Sequence, residues 1–353
     1  MKQMLYHYTK TFLEKNQLFT REILEKYDLG RMYDVYDKWP QIAKDAYNSE
    51  IETVDFKDID HVVFTGMGGS GTIGDLFSSI LSKTNLHTTV VKGYVLPKTV
   101  DENTLVVATS VSGDTAETLS ALESASKKNC KVIGFSSGGM IESFCTKNNI
   151  QYRKIPKIHS PRASFPNFAY SILKTLNSIT PIDKQEIMES INLLENISQE
   201  ISSANLSETN PSLDLAEWLN GIPVIYYPWG LQAAAIRFKN SLQENAKTHA
   251  IVEDVIESGH NGIVSWERSS KMVSVMIEGT DDHIKTKERW KILRQYFKEN
   301  DIRYKEIFTV DGGILSKILC LIYQLDYATI FHAMLLGIDP SPVKSIDYFK
   351  ERL

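Results

Sequence analysis

The pattern of apolar and polar positions changes character about sixty residues into the chain. Before that point apolar residues recur three and four apart among charged ones, as in Phe19, Ile23, Leu24 and Tyr27, and again in Ile42, Ala43, Ala46 and Tyr47. That spacing predicts two or three helices packed on the domain next in the chain. From His61 the rhythm becomes one of short apolar runs: HVVFTG (61–66), HTTVVKGY (87–94), LVVATS (105–110) and KVIGFS (131–136). Helix-like DLFSSILSK comes after the first run, and ETLSALESASKKN (117–129) separates the third from the fourth. Continuous apolar strands alternating with helices predict a parallel, doubly wound sheet covered on both faces.

The segment PKIHSPRASFP (156–166), rich in proline, breaks this pattern and leads into a helical stretch around 166–205. A second α/β pattern then begins, with IPVIYYPWG (222–230), KMVSVMIEG (271–279) and YKEIFTV (304–310) as strands and LQAAAIRFKNSLQENAK (231–247) as a helix. SKILCLIYQLDYATIFHAMLLG (316–337) is long and apolar but carries Lys317 and Asp326, which suits one or two buried helices better than a membrane span. The expected organisation is therefore helices over 1–60 packed on a first α/β domain (61–155), a crossing segment and linker helix (156–205), and a second α/β domain (206–353). The two halves read as copies of one architecture without residue-level repetition.

Composition narrows the class. The chain has 353 residues, 42% of them hydrophobic and 24% charged, which excludes disorder and fits about two domains. Its 39 Lys and Arg against 44 Asp and Glu leave a net charge of −5, which argues against a nucleic-acid binder. Cys130, Cys145 and Cys320 are scattered and form no CxxC, so neither a disulfide framework nor a cysteine zinc site is expected. With no apolar run of signal-peptide length at the N-terminus, the chain is expected to be cytoplasmic.

Two loops carry the candidate binding chemistry. Gly66-Met67-Gly68-Gly69-Ser70-Gly71 follows the first predicted strand and precedes a helix, as a dinucleotide-binding GxGxxG does. That reading requires an acidic residue about 20 positions on, for the ribose hydroxyl. Between Asp75 and Asp101 there is none. The third strand runs into Ser110-Val111-Ser112-Gly113-Asp114-Thr115 and again into a helix. Two loops rich in Ser, Thr and Gly at the carboxyl ends of neighbouring strands suit a phosphate monoester held by backbone N–H groups, a helix N-terminus and neutral hydroxyls. Gly69, Ser70, Ser110, Ser112 and Thr115 are the expected cradle. Taken one at a time, such residues are ordinary helix caps.

GMGGSG, SxSGDTxET, the SSGG at 136–139 and HSPRAS together resemble the sugar isomerase (SIS) superfamily, and within it the bifunctional phosphoglucose/phosphomannose isomerases. The resemblance continues through RFKNSLQENAK (237–247) and ESGHNG (257–262) and covers nearly the whole chain after residue 55. It implies two SIS domains, each a three-layer α/β/α unit, and interconversion of glucose 6-phosphate, with or without mannose 6-phosphate, and fructose 6-phosphate through an enediolate. It carries the catalytic base onto Glu244, which by itself is only an acidic residue late in a helix. It carries ring opening onto His260, otherwise a turn histidine, and onto a lysine near the C-terminus. Lys350 is preferred there over Lys344. Arg162, in a PRAS segment where members usually read PRAA, is implied to steady the enediolate. Position 343, where members of dual specificity tend to carry a hydroxyl, is Val. The family's delivery of the histidine into a neighbouring subunit implies a homodimer.

No cofactor or metal is expected. His249 and Glu253 share a helical spacing, but no HExxH or carboxylate triad accompanies them. The alternative from another class is a SIS-type sugar-phosphate sensor without catalysis, attached to a DNA-binding helix. The acidic N-terminal stretch shows no basic recognition helix.

Overall fold

The computed structural model describes residues 19–352. The chain forms two compact units. One comprises Lys38–Glu195 and Gly312–Ile318; the other comprises the described residues up to Asp37, Asn196–Asp311 and those from Leu319 onward. The N-terminal helices α1 (Arg21–Tyr27), α2 (Met32–Asp37) and α3 (Trp39–Asn48) thus divide, α3 alone joining the unit of the first sheet. The reason is what their apolar faces meet. Phe19 packs its ring edge-on against Phe331 at 5.2 Å, and Tyr36 meets Tyr327 in the same way. Trp39 instead donates its indole N–H to the Ala163 carbonyl and lies against Phe165.

The first unit is built on β1 (His61–Thr65), β2 (His87–Val91), β3 (Thr104–Ser110), β4 (Lys131–Ser136) and β5 (Gln151–Lys154), all parallel, in the order β2-β1-β3-β4-β5. β1 and β3 are buried along their whole length, as their unbroken apolar runs require. Their side chains alternate between two covering layers. Val63 and Val106 join Ala121 and Ala125 of α5 (Ala116–Ser126), whereas Phe64 stacks on Phe77 of α4 (Gly68–Leu81) at 5.2 Å. α6 (Gly139–Lys147) follows β4, and α7 (Phe165–Thr175) packs on α4 and α3. The stretch expected as one linker helix is two: α7, then α8 (Lys184–Ile201).

The second unit holds β6 (Ile222–Tyr227), β7 (Ile251–Asp254), β8 (Met272–Glu278) and β9 (Tyr304–Phe308), again all parallel, in the order β7-β6-β8-β9. With β6 standing for β1, this repeats the first sheet's order without its fifth strand. Neither β5 nor β7 is anticipated by the sequence pattern. QYRK and IVED are four residues each, with no more than two consecutive apolar positions, so they carry no apolar run to read. α9 (Pro211–Trp218) precedes β6, and α10 (Gln232–Asn245) packs on β6 and β7. α11 (Val255–Ser258) follows β7, and α12 (Ile284–Glu299) buries Trp290, Leu293 and Phe297 against Val224, Tyr226 and Met276. α13 (Ile314–Leu335) is a single helix whose most apolar window is 89% buried inside the fold, and α14 (Lys344–Lys350) comes after it.

Candidate active site

In each sheet the chain reverses its direction of winding between the first and third strands in sequence, and crevices open at the carboxyl ends of strands at such a reversal. In the first unit the two glycine- and hydroxyl-rich loops leave β1 and β3 there, side by side. A Cβ on Gly66 would lie 2.8 Å from the Thr109 carbonyl oxygen, so the two strand ends approach backbone to backbone. α4 begins at Gly68, inside the glycine-rich run, seven residues earlier than the sequence suggests. The start of this fourteen-residue helix therefore lies in the loop itself, and its positive dipole end faces the space above β1 and β3.

The expected cradle residues come together. Ser70, buried, accepts a hydrogen bond from the Val111 N–H at 3.3 Å, which joins the two loops. Ser110 Oγ stands 2.8 Å from Thr115 Oγ1 and 3.5 Å from Ser112 Oγ, and accepts from the Gly113 N–H at 3.1 Å. Thr115 occupies the N-cap position of α5 yet makes no capping hydrogen bond with its side chain. Its hydroxyl is turned to Ser110, so the ordinary capping explanation for a threonine at that position does not hold here.

Two supports are not evident in the sequence. The Ser137 N–H and hydroxyl both donate to the Val111 carbonyl, at 3.2 and 2.7 Å, and the Ile141 N–H donates to that of Gly113 at 2.9 Å. The SSGG segment after β4 thereby braces the β3 loop. Lys92, just past β2, lies beside α4: its Cε would be 3.2 Å from a Cβ on Gly71, and its Nζ pairs with Asp75 at 2.6 Å. Burial pushes the Asp75 carboxyl above its ordinary range, against the pull of Lys92. The lysine at the end of the second predicted strand is the one sequence signal for this pair.

Arg162 sits in the turn Ser160–Ser164 that opens α7. The Ser164 N–H donates to the Ser160 carbonyl, the Phe165 N–H to that of Arg162 itself, and the Ser164 hydroxyl to those of Ile158 and Ser160. Only 4% of Arg162 is exposed, so it is not the surface arginine that a linker usually carries. A guanidinium is withdrawn from water only where anionic or polar partners compensate it.

The second unit carries the other candidates. Glu244 is the penultimate residue of α10 and half-buried. His260 follows α11 in a turn, its N–H donating to the Glu257 carbonyl at 2.9 Å and its ring exposed. Asn261 ties that turn down, its amide donating to Glu257 Oε1 and its oxygen accepting from the Gly262 N–H. Underneath lies Glu253, whose Oε2 occupies the place a Cβ on Gly262 would need, 2.2 Å away. Burial raises the Glu253 carboxyl above its ordinary range, countered by a hydrogen bond with Tyr226. Lys344 and Lys350 are the first and last residues of α14, both exposed. Lys247 Nζ bridges the Pro342 carbonyl, at 2.8 Å, to that of Glu244, so the beginning of α14, with Lys344, adjoins the end of α10. Among the described residues, no group of three His, Cys, Asp or Glu is arranged to hold a metal ion.

Comparison with known proteins is consistent across the chain. Residues 55–155 match the SIS domain model, and residues 208–353 match the bacterial phospho-glucose isomerase C-terminal SIS domain. A bifunctional phosphoglucose/phosphomannose isomerase of Caldicellulosiruptor bescii is 34% identical over 90% of this chain and 97% of its own. One of Aquifex aeolicus is 31% identical over 90% and 94%. The crystal structure of tagatose-6-phosphate ketose/aldose isomerase from Escherichia coli shares the fold, with a TM-score of 0.63 at 13% identity over 91% of this chain and 95% of its own.

Proposed function

The chain belongs to the bifunctional phosphoglucose/phosphomannose isomerase family, and from that premise we propose how its own residues carry out an aldose–ketose isomerisation. The protein is a sugar-phosphate isomerase that interconverts glucose 6-phosphate and fructose 6-phosphate. The alternative of a sensor without catalysis finds no support among these relatives, which are named as enzymes.

The observation that carries the reading is the convergence of Ser70, Ser110, Ser112 and Thr115 at the ends of β1 and β3, beside the start of α4. Hydroxyls in mutual contact, with a helix N-terminus next to them, offer a phosphate monoester several donors without a metal. Gly69 adds its N–H in the first turn of α4. With the phosphate held there, the sugar ring opens by proton transfer to the ring oxygen and away from the C1 hydroxyl. His260 and Lys350 take that step. Glu244 then removes the proton from C2 and returns it to C1, and Arg162 balances the negative charge that develops on O1 and O2 of the enediolate. A positioned carboxylate contributes about 10²–10⁴ in rate to such a transfer.

The functional molecule in this reading is a cytoplasmic homodimer in which each subunit lends His260 to the other, and its reaction serves glycolysis and gluconeogenesis. The exposed ring of His260 on a braced turn suits that delivery. The test of the central assignment is a coupled assay of glucose 6-phosphate and fructose 6-phosphate interconversion with the Glu244→Gln protein. A fall in kcat of at least about a hundredfold is expected; near wild-type turnover removes Glu244 from its role. Running mannose 6-phosphate beside it shows whether Val343 narrows the substrate range.

A further inference from the structure

Asp326, in the middle of α13, is the most heavily bonded carboxylate of the second unit among the described residues and has no part in the chemistry above. It is fully buried and accepts from the Tyr36 hydroxyl of α2 at 3.0 Å, from Arg237 Nε at 3.0 Å and Nη2 at 2.6 Å, and from the Ser241 hydroxyl at 2.7 Å. Its own carbonyl accepts from the Thr329 hydroxyl at 2.7 Å, and the oxygen of that hydroxyl accepts in turn from Asn245 Nδ2 at 2.8 Å. Arg237, Ser241 and Asn245 are spaced four apart, so they form one stripe of α10, pinned at three successive turns to α13. Glu244 is the neighbour of the last pin and lies two turns from the first. Burial disfavours the Arg237 charge, while Asp326 and Glu244 favour it.

Such a pair is a poor device for stability. Two charges removed from water cost as much as their attraction returns, and an apolar pair of the same volume is commonly as stable or more so. What directional bonds from α13 and α2 do supply is a single rotation and axial setting of α10. An apolar seam would allow the helix to turn by some degrees or slide by a fraction of a turn. The residue whose direction then suffers is Glu244, at the end of the pinned stripe.

We propose that Asp326 is a positioning residue for the isomerisation: through Arg237, Ser241 and, by way of Thr329, Asn245 it holds α10 so that the Glu244 carboxylate faces the C1–C2 edge of the sugar. The proposal rests on the assignment of Glu244 as the base.

The test is the apolar exchange Arg237→Met with Asp326→Leu, measured for thermal stability and for kcat and KM on glucose 6-phosphate, with Glu244→Gln alongside. The expected result is a melting temperature equal to or above that of the wild type and a KM within about twofold, because the phosphate cradle lies on other elements. kcat is expected to fall by about a hundredfold, the usual consequence of misplacing a reacting group by an ångström. Unchanged kcat in the folded double variant overturns the proposal, and does so without touching the base assignment if Glu244→Gln is inactive. An active Glu244→Gln protein overturns both. Should the double variant fail to fold, Ser241→Ala and Tyr36→Phe each remove one bond to Asp326 and keep the charge pair. A loss of kcat of about threefold or more, with KM and melting temperature held, is then expected, and full retention of kcat in both overturns the proposal.

Discussion

Gly113 and Gly138 touch backbone to backbone: a Cβ on Gly113 would lie 1.9 Å from the Gly138 carbonyl oxygen, and Gly113 has a φ of +82°. Both conditions exclude any other residue there. The β3 loop and the β4 loop can approach this closely only because Gly113 has no side chain at the contact. Gly113→Ala is therefore expected to disrupt the hydroxyl cradle while leaving the sheet intact. KM for glucose 6-phosphate should rise at least about tenfold, since displacing either loop breaks the donors aimed at the phosphate. Steady-state kinetics and the far-ultraviolet circular dichroism spectrum check it, and an unchanged KM would show the contact to be dispensable.

Ser110 is the hub of the cradle, joined to Thr115, Ser112 and Gly113. A hydrogen bond to a charged group contributes about 1.5–3 kcal/mol, so Ser110→Ala is expected to raise KM by about ten- to a hundredfold. A phosphate held at this cradle would be bound alike in ground and transition states, which leaves kcat the less affected parameter. Thr115→Val should act in the same direction. Inorganic phosphate, assayed as a competitive inhibitor, should weaken in parallel with KM; an inhibition constant that stays put while KM moves would place the phosphate elsewhere.

Mixed inactive variants test whether the site is shared between two subunits. If His260 serves the neighbouring subunit, a heterodimer of Glu244→Gln and His260→Ala chains has one site with both defects and one site with none. Equimolar mixing after mild dissociation should then recover about a quarter of wild-type activity, because half of the dimers are mixed and each has one sound site. If histidine and carboxylate come from the same chain, the mixture stays as inactive as its components. Lys344→Ala and Lys350→Ala, assayed on the closed-ring sugar, separate the two lysines: the ring-opening residue is the one whose loss lowers turnover.

Two buried histidines tie stability to pH. Burial holds the imidazole of His332 below its ordinary value of 6.5, opposed by its bond to the Ala216 carbonyl at 2.9 Å. Burial, then the ring of His87, does the same to His61. Below pH 6.5 the unfolded chain accordingly binds protons that the folded chain refuses, and stability falls as pH drops through that value. The melting temperature should decline from about pH 7 towards pH 5, and His332→Gln, which keeps a donor for Ala216, should show a shallower slope. Equal slopes in the two proteins would assign the pH dependence to other groups.

Much of this architecture arises from local pattern. Seven of the nine strands among the described residues are predicted by the sequence pattern, and five of these, β1, β3, β4, β6 and β8, lie inside their sheets and are largely buried, which leaves them little choice of role. The two that escape notice, Gln151–Lys154 and Ile251–Asp254, lie at sheet edges, where half the surface is open and polar residues are tolerated. The cradle is legible because glycine and small hydroxyls at two strand ends are both a local signal and a chemical one. Arg162 and Asp326 are not legible in the same way. A linker arginine and an aspartate in an apolar helix have nothing in their neighbourhood in sequence to say that one is 4% and the other 0% exposed.

Local sequence thus determined which segments are strands and helices and that two hydroxyl-bearing turns would meet, because backbone preference and apolar periodicity act over a few residues. Tertiary structure alone decided that Thr115 turns to Ser110 instead of capping its helix, and that Lys92 stands beside Gly71. It alone brought Tyr36, Arg237 and Ser241 to one carboxylate. Those choices depend on contacts between residues as much as 290 positions apart, whose energies exist only once the chain has closed on itself.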